Sequence, residues 1–434
     1  MPDSTPQPAL EVVREVRGGR SVLDVVESCL RLIDADDGDL GAWVHLDSDG
    51  ARRHAHRLDQ LPMPVRDCLP LLGVPVGVKD IVDTADMPTS MGSPIYADRR
   101  PGADAEIVAS LRAAGAVVVG KTTTTEFACF SPAKTKNPLD RTRTPGGSSS
   151  GSAAAVAAGM VPLAVGAQTA GSIIRPASYC GVLGLKPTAG VLPRAGVLAV
   201  SETLDTVGLF GRSPADLDLA MSALTDPRFG RVSRSIHPES GLDRAPRIGV
   251  LRWGWDKIDS DARAAIDRLV VGAELAGGLI DEVEMPVDLE AVADAQFTIQ
   301  WFETAIALAG EEQRHSEALS QRLRDDLNGA HAIPAVRYEL ARRFADEWRR
   351  RCSDAISEFD AVLSPSTLGV PPSGLESTGD PLFCRAWTLF GFPALAIPAA
   401  WTPDGLPVGV QLTTTAHNDR RLLEVANWLA KAGN

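Results

Sequence analysis

Cysteine, histidine and lysine are sparse in this 434-residue chain, and each shortage removes a class of chemistry. The six cysteines (Cys29, Cys68, Cys129, Cys180, Cys352, Cys384) are scattered, with no Cys-x-x-Cys pair and no metal-ligand spacing. They read as buried reduced thiols, and no metal site is expected. The seven histidines (His45, His54, His56, His237, His315, His331, His417) lie outside the glycine- and serine-rich stretches, and no Gly-x-Ser-x-Gly elbow frames a serine. Ser-His-Asp chemistry and His-based metal hydrolysis are therefore unsupported. No Lys/Arg run is long enough to track phosphates, and the net charge is −13, so nucleic acid is not an expected partner. Met1 to Val16 contain no basic region followed by an apolar one; no secretory signal is read, and a cytoplasmic location is expected. Internal repeats and low-complexity segments are absent too. A hydrophobic fraction of 44% beside 23% charged residues excludes disordered and fibrous classes and leaves a globular enzyme.

What is present concentrates between Pro145 and Thr188, PGGSSSGSAAAVAAGMVPLAVGAQTAGSIIRPASYCGVLGLKPT, two Gly/Ser loops joined by a small apolar segment. From Thr144 to Ile174 there is no charged side chain, so the segment reads as core. It is longer than the roughly 20 residues that span a bilayer. Its Gly, Ser, Gln and Pro162 content nevertheless fits a buried helix and strand, and no membrane partner is expected. The order is loop, helix (Ser152 to Ala158, stopped by Gly159), strand (Val161 to Val165) and a second loop at Thr169 to Ser172. Upstream, Ala9 to Arg17 and Val22 to Ile33 pattern as amphipathic helices, the second capped by Ser21 with Asp24 three residues on. Leu72 to Val82 reads as a buried strand with Lys79 at its end. Ala105 to Ala114 reads as a helix closed by Gly115, and Ala116 to Val119 as a strand, which makes the architecture α/β. Downstream of Ser213 helical patterns dominate, with Leu340, Phe344, Trp348 and Cys352 at four-residue steps.

The two loops put hydroxyls where a nucleophile and a proton relay would sit. A serine attacking an amide must be deprotonated as it attacks, and the oxyanion that forms needs preorganised donors. Ser172 follows a loop whose backbone N–H groups at Thr169, Ala170, Gly171 and Ser172 could supply them. Lys79 lies in VGVKDIV, and only seven lysines occur beside thirty-six arginines, so a lysine in an apolar strand reads as selected. To accept a proton from a serine it must be neutral, which requires burial to lower its pKa from about 10.4 by roughly three units, at about 4 kcal/mol. Gly115 to Thr122 matches GxxxxGK[ST], but its apolar middle is a strand and not a phosphate cradle.

These motifs, with LLGVPVGVKDIVDTADMPTSMGS (Leu71 to Ser93), ADAEIVASLRAAGAVVVGKTTTTEFA (Ala103 to Ala128) and GFPALAIPAAWTPDGLPVGVQL (Gly391 to Leu412), resemble the amidase signature family. That family comprises the Ser-cisSer-Lys amide hydrolases that include fatty acid amide hydrolase and malonamidase. The resemblance implies one amidase domain over residues 1–434, a central mixed β-sheet flanked by helices on both faces. Its catalytic core spans about 70–212, a variable helical substrate-access region about 213–360, and a return to the sheet about 361–434. It implies Ser172 as nucleophile, Ser148 as the bridging serine after a cis peptide, Lys79 as base, and residues 169–172 as oxyanion hole, with alanine at Ala170 where the family usually has glycine. Ser149 and Ser150 are read as caps of the following helix.

Arg175 is read as a clamp for a substrate carboxylate, as the matching arginine is in malonamidase, or as a structural ion pair. Cys129 and Gln168, which replaces a common aspartate, complete the candidate substrate-binding set, and pockets are expected around Cys129 and Trp301. The expected function is hydrolysis of a linear amide, a carbamate or an ester through an acyl-enzyme, on a small-molecule substrate and without a cofactor. A homodimer is the oligomer considered. Two other readings stay open at this point: an amidotransferase A subunit that passes ammonia to a partner, and a non-catalytic binding protein on the same fold.

Overall fold

Eleven strands form one mixed sheet: β1 Trp43–Leu46, β2 Pro75–Lys79, β3 Val117–Thr122, β4 Leu163–Gln168, β5 Leu183–Lys186, β6 Thr206–Gly211, β7 Arg247–Val250, β8 Leu279–Glu282, β9 Ala361–Pro365, β10 Ala394–Trp401 and β11 Pro407–Thr413. The computed structural model describes residues 7–229, 242 and 244–432. The strand order is β1-β3-β2-β4-β6-β5-β10-β11-β9-β7-β8, and helices cover both faces. β2 runs parallel to β3 and β4, β7 parallel to β8 and β9, and the joining strands are antiparallel. β2, β3, β4 and β6 are buried along their whole length, which is why they read as continuous apolar runs without alternation.

The first helix, Ala9–Arg17, has the expected bounds, and the second continues past Ile33 to Leu40, where Gly41 turns left-handed at φ 68°. The acidic stretch Asp34 to Asp39 hides this extension because it carries no apolar period. Ser21 caps the second helix by accepting from the Leu23 N–H, and Asp59 accepts from the Val22 and Leu23 N–H groups. The helices Glu106–Ala113 and Ser150–Ala157 fall within a residue or two of their expected places, while β4 begins two residues and ends three residues later than expected. Gly115 to Thr122 enters β3 directly; Lys121 is buried, donating to Val82 O and Thr89 Oγ1 beside Asp80.

Several expectations are corrected. The region 213–360 is not helical throughout: β7 and β8 lie in it, four residues each, and β8 is mostly exposed, so neither has an apolar alternation to read. In the helix Ala335–Ile356 the buried side is Ala341, Ala345, Cys352 and Ile356, while Leu340 is 60% exposed. Four-residue steps drift about 40° each around a helix, so the chosen stripe crosses from surface to core. Cys68 is exposed; the other five thiols are buried.

Candidate active site

β2 lies between β3 and β4 in the sheet, and its last residue, Lys79, has no exposed surface. Its Nζ donates to Ser148 Oγ at 2.7 Å and to Ala167 O at 3.4 Å. Desolvation lowers its pKa to about 7; Asp205 and Cys129 pull more weakly the other way. The peptide Gly147–Ser148 is cis, and Gly146 before it takes φ 81° with its Cα so close to Pro176 that a Cβ would come within 2.9 Å of the Pro176 Cα. Ser149 and Ser150 begin the helix Ser150–Ala157 without capping it. The Ser149 hydroxyl bonds the Ala167 backbone and Ser150 donates to Thr123 O, so both tie the helix to neighbouring chain instead.

β4 ends at Gln168 and delivers the second loop. Gln168 is fully buried: its Oε1 accepts from the Ile173 and Ile174 N–H groups at 2.8 and 3.0 Å, and its Nε2 donates to Thr388 Oγ1. It is a loop brace and not a substrate ligand, a correction that follows from both ends of its amide being engaged. Thr388 Oγ1 donates to Ala170 O, Gln296 Nε2 to Thr169 O, and Thr169 Oγ1 to Asp205 Oδ1 at 2.5 Å. Among the described residues, the N–H groups of Ala170, Gly171 and Ser172 donate to no protein acceptor. Ala170 is not among the residues with positive φ, so alanine there imposes no backbone cost. Gly171 is required by packing, since a Cβ would lie 2.9 Å from Pro381 Cβ and 3.1 Å from Cys384 Cβ and Sγ.

Ser172 is 7% exposed, and its hydroxyl has no hydrogen-bond partner among the described residues. The structure thus joins Lys79 to Ser148 directly, while a Ser148–Ser172 hydrogen bond is not formed. Arg175, in the helix Ile174–Cys180, donates to Gly147 O and Gly379 O at 2.7 Å each and to Thr378 Oγ1 at 3.1 Å. Among the described residues it is in no ion pair, so the ion-pair expectation does not hold; three of its five N–H groups fix the Gly147 peptide to the 378–379 loop, and its Nε has no partner.

Cys129 is also corrected. Its buried thiol points to Phe127 O within its own loop, where Phe127 and Ala128 take left-handed φ values of 46° and 58°. Burial raises its pKa, and its neighbour Phe130 reaches the substrate-sized space instead. That space is a cavity of about 360 Å³ lined by Phe130, Trp301, Thr378, Gly379, Pro381 and Arg385. It adjoins the second loop through Pro381, the residue against Gly171.

Asp205, Gln296, Thr388 and Arg385 were not found from the sequence: the first three reach the loop from elsewhere in the chain, Arg385 bonds Gln296, and no local pattern marks them. Among the described residues no three His, Cys, Asp or Glu side chains come together as a metal-ligand set, and no helix is long and apolar enough to cross a membrane.

The Amidase family model matches residues 24–423. The A subunit of the glutamyl-tRNA(Gln) amidotransferase of Rhodopirellula baltica is 33% identical over 474 residues, covering 96% of this chain and 95% of that protein. A chain solved in a vestigial protein complex bearing on the evolutionary origins of an s-triazine catabolic enzyme is 31% identical, with a TM-score of 0.89 over 98% of this chain and 99% of that one. The peptide amidase of Stenotrophomonas maltophilia is 29% identical, with a TM-score of 0.83 over 98% and 96% of the two chains.

Proposed function

This chain belongs to the amidase signature family, and on that premise we propose that it hydrolyses a non-peptide amide or related C–N acyl bond through an acyl-enzyme on Ser172. One observation carries the reading: a lysine amine with no exposed surface, its charge disfavoured near neutrality, lies 2.7 Å from Ser148 beside the loop that bears Ser172. In the proposed cycle the neutral Lys79 amine takes the Ser148 proton as Ser148 takes that of Ser172, whose Oγ attacks the carbonyl. The unpartnered N–H groups at 170–172, with that of Thr169, hold the oxyanion. The proton returns through Ser148 to the leaving amine, and water then releases the acyl group from Ser172. The segment from about 213 to 360 shapes access, since Trp301 from it lines the cavity.

The test is a hydrolysis panel of aryl amides, carbamates, esters and dicarboxylic monoamides, run with wild type and Ser172→Ala and combined with a serine-directed covalent probe. Ser172→Ala is expected to lose at least about a thousandfold in kcat while folding normally. Pure, folded protein that neither turns over the panel nor takes the probe on Ser172 would instead be a binding protein. A second reading is favoured by the likeness to amidotransferase A subunits: release of ammonia for a partner protein. Glutamine-dependent ammonia production together with copurifying proteins would select it.

A further inference from the structure

The cavity beside the second loop contains a guanidinium that the protein does not neutralise. Arg385 stands on the helix Leu382–Leu389, next to Cys384, whose side chain packs on Gly171. Its Nη1 donates to Gln296 Oε1, and its guanidinium carbon lies 5.9 Å from the Phe297 ring centroid. Among the described residues it forms no ion pair, its other N–H groups have no protein acceptor, and the residue lines the cavity. Burial depresses its pKa to about 10; Asp380 opposes that shift and Arg175 adds to it.

None of the acidic groups on the cavity wall forms an ion pair with Arg385. Asp326 pairs with Arg322 at 3.0 Å, Asp380 accepts from the Leu382 N–H at 2.9 Å, and Glu376 accepts from the Leu375 N–H at 3.0 Å. Two guanidiniums, Arg175 behind the wall and Arg385 on it, therefore meet here without a carboxylate in contact. A desolvated cation with open donors favours an anionic acceptor, and a planar carboxylate matches the guanidinium fork. The nearby Asp380 and Glu376 disfavour a dianion such as phosphate.

We infer that Arg385 is a specificity-determining residue, taking a carboxylate carried by the substrate a few bonds from the scissile carbonyl. The inference rests on the Ser172 hydrolase reading and narrows its substrate class to monoanionic amides.

The experiment compares a four-carbon dicarboxylic monoamide with its neutral diamide on wild type, Arg385→Gln and Arg385→Lys, reading kcat/KM for each. Protection of wild-type Ser172 from a fluorophosphonate by the monoanion butyrate and by neutral butyramide is measured alongside. Wild type is expected to prefer the anion by about ten- to a hundredfold, the worth of a charge-assisted hydrogen bond. Arg385→Gln should bring the ratio near one, Arg385→Lys should restore part of it, and butyrate should protect better than butyramide. Equal treatment of the two substrates by wild type, an equal loss on both in Arg385→Gln, or equal protection would overturn the inference. Failure of the fluorophosphonate to label Ser172 would remove the hydrolase reading itself, and this inference with it. The protection arm needs no variant, so misfolding of either substitution does not block the test.

Discussion

Burial of the strand end that carries Lys79 brings its pKa down to about 7, and that fixes the direction of the pH response. The amine must be neutral to accept a proton, so kcat/KM should rise with pH through an apparent pKa of about 7. Asp205 is largely ionised there, its own pKa raised to about 6 by burial, and its negative charge holds the Lys79 pKa up. Asp205→Asn should therefore move the acid limb to lower pH; a limb that stays in place would show that Asp205 only braces Thr169. Lys79 and Ser172 stand out in the sequence because lysine is rare and charge is missing around the serine loops, and Ser148 stands out through the family resemblance; the structure puts Lys79 against Ser148, and the roles of the three are those proposed above. Arg385 and Asp205 do not stand out, since one buried arginine or aspartate among many looks like any other until the chain folds. Arg175 shows the limit from the opposite side. The sequence marks it as special but says nothing of the carbonyls that occupy its guanidinium.

Among elements, the helix Leu382–Leu389 and the 169–172 loop are fitted to each other without room for a methyl group. Gly171→Ala should push Pro381 and Cys384 away, at about 1–3 kcal/mol of stability, and should lower kcat more than it raises KM because the oxyanion donors shift. Denaturant unfolding and steady-state kinetics on one preparation check both. An unchanged kcat would mean that the loop tolerates displacement. Buried strands and the short helices Ala9–Arg17, Glu106–Ala113 and Ser150–Ala157 were readable because local pattern and local environment agree in them. β7, β8 and the buried side of Ala335–Ile356 were less so: four-residue strands have too few positions for a period, and a long helix precesses away from any fixed step.

Across the molecule, β1 to β6 form one contiguous side of the sheet and β7 to β11 the other, joined where β5 pairs with β10. This division was not visible from strand signals, because the strands that join the two sides pair Lys186 with Ala394, far apart in sequence. The sheet also buries three lysines whose pKa values burial lowers, Lys79 and Lys186 to about 7 and Lys121 to about 8. For a base depressed in the folded state, the unfolded chain binds more protons between the two pKa values, so stability rises with pH across that window and levels off below it. From pH 7 to about 10 the contribution of Lys186 should rise by about 1.4 kcal/mol per pH unit, and Lys186→Met should remove that slope. Denaturant midpoints of both proteins across this range measure it; parallel curves would mean that Lys186 keeps its charge. The loop bearing Ser172 hangs from β4, yet the hydroxyl that ties its Ala170 carbonyl belongs to Thr388. During synthesis the attacking serine thus leaves the ribosome more than two hundred residues before the group that shapes its surroundings. On the proposed reading, the nascent chain lacks this support for its acylation loop until the helix Leu382–Leu389 has been made.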